Sequence, residues 1–211
     1  MHRTRLFCYD NTKIKEKGRD AMRVLRDIVA QLVLVVFVLL AVPCPAAEIK
    51  DVRFEDQIVL NDVELNLNGL GVLKWAMLFD VYAGGFYLPV DVPGSKWTDD
   101  VAKKLELSYF RDIEAKGFAD ASDKLLKDNL SAEKYGELAE RLEEFYGFFR
   151  DVKPGDRYSI NYIPGNGTEL RLNGEVMGSV PGHDFAVAYF GLWLGDKPIN
   201  KTFRDALLNV R

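Results

Sequence analysis

Cysteine and histidine are scarce in this chain of 211 residues, with two of each. Cys8, Cys44 and His2 all fall in the first 47 residues, so His183 stands alone beyond them. Residues 48–211 therefore hold no disulfide, no thiol nucleophile and no zinc site of the Cys/His type. A single histidine without a serine elbow also argues against a hydrolytic triad. Excess positive charge is missing too. Residues 1–47 hold eight of the 28 Lys/Arg and four of the 32 Asp/Glu, which leaves 20 basic and 28 acidic residues beyond them, a net of −8. Such a surface is a poor partner for nucleic acid. Low-complexity linkers and internal repeats are absent, so 48–211 reads as one domain.

No apolar run reaches the roughly 20 residues of a membrane span. The longest, 32–42, is eleven residues; Arg23 and Arg26 precede it, and Pro43-Cys44-Pro45-Ala46-Ala47 follows. That order is the one expected of a signal peptide over 22–47, with export to the periplasm. An uncleaved signal acting as an anchor is the alternative, and the only membrane contact expected. Pro43 makes Cys44 a poor lipoprotein cysteine. Residues 1–21, polar and patternless ahead of Met22, read as a misassigned start or a leader extension.

Beyond the signal, 53–60 and 63–67 alternate apolar and polar residues around Asn61-Asp62, the pattern of a β-hairpin. Residues 68–89, NGLGVLKWAMLFDVYAGGFYLP, are the most apolar and aromatic stretch of the domain. They read as a long strand or a bent strand pair over 73–88, with Gly84-Gly85 as a bulge. A strand so apolar is covered on both faces, so a polar group within it meets a partner or a ligand. Thr98 is expected to cap a short helix over 99–103. In 104–110, Leu105, Leu107 and Tyr109 share one face. Helical spacing of Phe118, Ala121 and Leu125 predicts a helix over 114–129, and a second stripe predicts another over 132–149. Strands at 157–163, 168–172 and 175–180 form a meander whose last turn is Asn173-Gly174. Helices over 185–194 and 201–208 close the chain. The fold class is α+β, an antiparallel sheet with helices over one face.

Taken in order, 67–89, Tyr109-Phe110-Arg111-Asp112, VKPGDRYSINYI at 152–163, NGEVMGSVP at 173–181 and FGLWLGDKPI at 190–199 resemble the chalcone isomerase-like superfamily in its exported bacterial branch. The resemblance spans nearly all of 52–208. It implies an open-faced β-sandwich, a large antiparallel sheet against a helical layer with a ligand cleft between them. In the plant enzymes that cleft closes a chalcone to a flavanone, with an arginine and polar side chains orienting the substrate. Related non-enzymatic members hold a fatty acid, with an arginine and a tyrosine at its carboxylate.

This chain departs from the enzymes. The family arginine follows the glycine pair; here Gly69-Leu70-Gly71-Val72 leads to Leu73, with Lys74 one place on. An ammonium is a point charge without the bidentate fork of a guanidinium, and one step along a strand reverses the side chain unless a bulge re-aims it. Lys74 is thus a ligand contact or a solvated edge lysine. Tyr82 sits where the plant enzymes carry a catalytic threonine, and also suits the tyrosine of the fatty-acid binders; the other reading is an interior phenol bonded to backbone. Phe118 and Leu125 replace a tyrosine and an asparagine of the plant site, and Leu192 or Trp193 falls at its last polar position. Arg111 either supplies the missing cation or joins Asp112 in capping the next helix or crossing to a neighbouring element. His183 is expected near the surface at a helix start.

The expected ligand-binding residues are Tyr82, Lys74, Arg111, Phe118 and Trp193, with no metal and no cofactor. The function read from them is non-catalytic binding of a small amphipathic, fatty-acid-like ligand in the cell envelope. The alternative is an intramolecular lyase of the chalcone isomerase type. The sequence does not fix an oligomeric state.

Overall fold

The computed structural model describes residues 46–75 and 78–210. The expected extension and signal peptide lie outside them, except that Ala46 and Ala47 open the first strand. β1 (Ala46–Ile49) and β2 (Val52–Glu55) pair across Lys50-Asp51 as a separate two-stranded sheet. Seven further strands follow as one antiparallel sheet in chain order: β3 (Gln57–Leu60), β4 (Val63–Trp75), β5 (Phe79–Pro89), β6 (Lys103–Tyr109), β7 (Arg157–Ile163), β8 (Gly167–Leu172) and β9 (Glu175–Val180). Chemistry at the turns explains two of the links. Asn61 and Asp62 both take positive φ, as do Asn173 and Gly174, which a two-residue turn matching strand twist requires.

Helices α1 (Ala115–Asn129) and α2 (Ala132–Tyr146) are inserted between β6 and β7; α3 (His183–Leu194) and α4 (Lys201–Leu207) follow β9. Alternation along the strands sets the layers. Leu105, Leu107 and Tyr109 of β6 and Tyr158, Ile160 and Tyr162 of β7 are buried with Leu126, Leu138, Leu142, Phe145, Phe185 and Phe190 of the helices. Leu60, Leu65, Tyr87 and Ala102 form a second, smaller core. The result is the expected α+β architecture: one large antiparallel sheet with a helical layer.

α4 lies directly on β4. A Cβ at Gly69 would stand 2.2 Å from the Ala206 carbonyl oxygen and 2.5 Å from that of Leu207, so glycine there lets two backbones touch. Asn68 next to it donates to the Leu207 carbonyl at 2.7 Å.

Three sequence expectations are corrected. Residues 73–88 are not one strand: β4 ends at Trp75, β5 begins at Phe79, and they run back antiparallel with Trp75 opposite Phe79. Gly84-Gly85 is not a bulge but pairs in register with Gly71 and Leu70, the register shifts falling at Leu67/Gly69 and Leu73/Lys74. No helix covers 99–103. A 3-10 turn lies at Gly94–Lys96, and Lys103 already belongs to β6, its buried ammonium donating to the Trp97 and Asp99 carbonyls at 2.7 and 2.6 Å. In addition, 53–60 is divided at Asp56 between the two sheets.

Candidate functional site

A cavity of about 440 Å³ lies between the sheet and the helices α1 and α3. Leu73 of β4, Tyr82 of β5, and Leu107 and Tyr109 of β6 form its floor. Phe118, Ala121, Ser122 and Leu125 of α1 make one wall, and Leu192 and Trp193 of α3 the other. The helical stripe read from the sequence is the one that faces this space. Its members Phe118 and Leu125 are only half-buried and Ala121 is exposed, whereas the fully packed positions of α1 are Ser122 and Leu126.

The floor carries hydroxyls. The Trp193 indole N–H donates to the Tyr82 hydroxyl at 2.9 Å, and the Tyr82 ring meets Tyr109 and Phe203 edge-on, each at 5.5 Å. Tyr82 is therefore an interior phenol bonded to a side chain rather than to backbone. Burial pushes both phenols well above their ordinary value, the Trp193 bond opposing this at Tyr82. Both are neutral donors at physiological pH. The Tyr109 hydroxyl has no hydrogen-bond partner among the described residues. Ser122 shares a hydrogen bond of 3.2 Å with Tyr189.

Charge is confined to the mouth, where Lys74 and Arg111 are the charged lining residues, beside Trp75, Phe79 and Ile199. Pairing passes from Leu73 opposite Tyr82 to Lys74 opposite Asp80, leaving Val81 as an extra residue on β5. This bulge interrupts the alternation of β5, while Lys74 borders the cavity from the exposed end of β4, where Leu73 is buried and Lys74 is not. Lys74 Nζ lies 3.7 Å from Asp80 Oδ1, and Lys50 Nζ 3.1 Å from Oδ2. Lys50 above all, helped by Lys74, holds the Asp80 carboxyl below its usual range. Arg111 Nε donates to the Asp80 carbonyl at 3.0 Å, and its guanidinium lies 4.8 Å from the centre of the Phe79 ring. Its remaining nitrogens make no hydrogen bond among the described residues.

All five residues singled out from the sequence, Tyr82, Lys74, Arg111, Phe118 and Trp193, thus border one cavity, together with Leu125 and Leu192. Arg111 crosses to β5 and does not cap α1. The first N–H of that helix, on Ala115, is held by Asp151 Oδ1 at 2.8 Å. His183 lies away from the cavity, half-buried, with Nε2 2.9 Å from the Thr98 carbonyl oxygen. Tyr109 and Ser122 belong to the site and were not singled out. For Tyr109 the signal was present, since its face was assigned correctly; for Ser122 there was none, as it lies one step outside the apolar stripe. Among the described residues no group of three or more His, Cys, Asp or Glu could hold a metal ion. No helix among them is long and apolar enough to cross a membrane.

Comparison with curated proteins finds no match. Among solved structures, a fatty-acid-binding protein of Arabidopsis thaliana is similar with a TM-score of 0.61 over 78% of this chain and 96% of that one. At 18% identity the likeness is one of fold. A family profile described as chalcone isomerase-like matches residues 46–209, a span that takes in the sheet, the cavity and all four helices, and the chain therefore belongs to the chalcone isomerase-like family.

Proposed function

We propose that this protein is a non-catalytic binding protein of the cell envelope, from an exported bacterial branch of its family, and that the cavity holds a small amphipathic, fatty-acid-like ligand. One observation carries the reading: an apolar cavity whose charged lining residues, Lys74 and Arg111, stand together at its mouth. An anionic head meets that pair while an acyl chain runs inward along Leu107, Phe118, Leu125 and Leu192. The volume lies within the roughly 300–1,000 Å³ of small-molecule pockets. A fold shared with a protein named for fatty-acid binding supports the ligand class. Residues 22–47 are the export signal in this reading, 48–211 the binding domain, and 1–21 an extension.

The reading against catalysis rests on what faces the ligand. An intramolecular lyase needs oriented donors where negative charge develops, and losing one costs about 10²–10³ in rate. Here Leu73 and Lys74 stand in place of the arginine, and Phe118 and Leu125 in place of the polar helix positions.

Native mass spectrometry of the purified protein, with thermal shifts across a fatty-acid panel, tests binding. Retained or added acyl chains that raise the melting temperature, and that a cavity-filling Leu125→Trp excludes, are expected. A protein that takes up none refutes the reading. Decay of naringenin chalcone above the spontaneous rate, lost in Tyr82→Phe, would establish the lyase instead.

A further inference from the structure

Two aromatic side chains are exposed among the large hydrophobics of the described residues, and both are at one place. Trp75 is 68% exposed and Phe79 43%, at the tip of the β4–β5 hairpin, with Leu78 between them at 79%. The other exposed apolar side chains, such as Val59, Val90 and Val176, belong to different strands and turns. Isolated exposed apolar residues need no explanation, but a contiguous cluster does. Trp75 and Phe79 are cross-strand partners with their rings 6.2 Å apart, and such a pair stabilises a hairpin. That accounts for the rings facing each other. It does not account for Leu78, nor for the position of the pair at the mouth of an apolar cavity, which both rings line.

The charge around the tip is the second observation. Lys50, Lys74 and Arg111 surround it, and the one carboxylate bound among them is Asp80, shared by Lys50 and Lys74. The cluster therefore carries a net positive charge on a domain that is acidic as a whole. A second copy of this chain docked tip to tip would set these cations against their own kind. A surface that offers apolar depth beneath anionic groups answers both features, since tryptophan favours the polar boundary of a bilayer and Lys/Arg stems carry their charge outward to it. We propose that the β4–β5 tip, flanked by Lys50, Lys74 and Arg111, docks on an anionic phospholipid surface and brings the cavity mouth to the membrane. The inference rests on the lipid-like ligand proposed above, because a mouth ringed in this way lets an acyl chain pass between bilayer and cavity without crossing water.

The test uses the full chain with vesicles of phosphatidylcholine, with or without phosphatidylglycerol, carrying brominated acyl chains. Quenching is read at Trp75 as the difference between the protein and Trp75→Phe, so emission from Trp97 and Trp193 does not enter. The contrast between anionic and neutral vesicles separates the tip from any affinity of the apolar run 32–42. Quenching in anionic vesicles that Trp75→Phe loses is the expected result. Lys50→Gln, remote from the cavity lining, is expected to raise the lipid needed for half-maximal quenching about five-fold, because one cation near such a surface is worth about 1 kcal/mol. Equal quenching of protein and variant, or equal quenching in neutral vesicles, overturns the proposal. So does a dimer in sedimentation that Leu78→Ser abolishes, which would give the tip to a second copy. Acyl-chain retention is measured separately, without vesicles. Its loss with Trp75 quenching intact sinks the ligand reading alone, and its survival without quenching sinks the docking surface alone.

Discussion

Tyr82→Phe removes one oxygen from the cavity floor and tests whether the Tyr82–Trp193 pair organises it. The phenyl ring of the variant keeps the edge-on contacts to Tyr109 and Phe203, so no packing void adds to the cost. What is lost is the 2.9 Å acceptor of the Trp193 N–H. A typical hydrogen bond contributes about 0.5–1.5 kcal/mol net, and a buried donor left without an acceptor costs about 1–3 kcal/mol. Trp193 lines the cavity, so a cavity water can accept the N–H hydrogen bond in place of the lost hydroxyl, which places the expected loss near about 1 kcal/mol. In urea that moves the unfolding midpoint down by about half a molar. Tyr109→Phe is the control, since its hydroxyl has no partner among the described residues and its removal should leave the midpoint nearly unchanged. A double-mutant cycle with Trp193→Phe, followed by circular dichroism, should give a coupling of about 1 kcal/mol. Coupling below about 0.3 kcal/mol, or a Tyr109→Phe loss as large as that of Tyr82→Phe, would refute the assignment.

Gly69→Ala should lower stability by about 1–3 kcal/mol or more, because the Cβ meets the Ala206 and Leu207 carbonyl oxygens of α4 and no side-chain rotation relieves it; differential scanning calorimetry should show the melting temperature falling by several degrees. Lys103, 1% exposed, gives a pH signature. Burial lowers its ammonium to about 8, opposed by Asp100 and Asp99, while the unfolded chain titrates near about 10.4. Below about pH 8 both states are charged; between about 8 and 10 the unfolded state holds a proton the folded state has released, so stability rises with pH by at most a few kcal/mol. The raised phenols of Tyr82 and Tyr87 act oppositely above about pH 10, where the unfolded chain ionises first. Urea midpoints across that window should rise for the protein and stay flat for Lys103→Met; a protein curve with no rise contradicts the burial of a charged lysine.

Much of the architecture was legible because it rests on local chemistry. Asn61-Asp62 and Asn173-Gly174 named their turns, and the alternation of Leu105, Leu107 and Tyr109 named the inward face of β6. The reversal between Trp75 and Phe79 was hidden for the converse reason, since 76–78 (Ala, Met, Leu) contain no glycine, proline or asparagine. Gly84 and Gly85 resembled a bulge, but a Cβ at either would strike Phe203 or Phe54, contacts set by chain far away in sequence. The site was legible in the same uneven way. Helical spacing put Phe118, Ala121 and Leu125 on one face without telling whether that face is packed or open. Lys74 borders the cavity from the exposed end of β4, a place at the rim that period-two reasoning about strand faces does not name.

For the acyl ligand proposed above, two polar ends of the cavity compete for its head, and their energetics differ enough to choose. At the floor the donors are the neutral phenols of Tyr82 and Tyr109, both buried. A carboxylate carried there leaves water without gaining a cation, at an effective cost of several kcal/mol for a buried ion, of which charge-assisted hydrogen bonds to phenols return about 1.5–3 kcal/mol each. At the mouth the head keeps much of its hydration and meets Arg111 and Lys74; an exposed pair contributes only about 0.2–1 kcal/mol, yet nothing large opposes it. The head-out orientation therefore wins, with affinity supplied by the chain at about 0.8 kcal/mol per buried methylene. Arg111→Ala should accordingly weaken a fatty acid by no more than about five-fold and leave its methyl ester unaffected, whereas each added methylene that still fits should tighten both by about four-fold. Calorimetric titration with matched acids and esters measures this. A fatty acid that loses most of its affinity in Tyr109→Phe, and little in Arg111→Ala, would reverse the orientation and place the carboxylate on the floor.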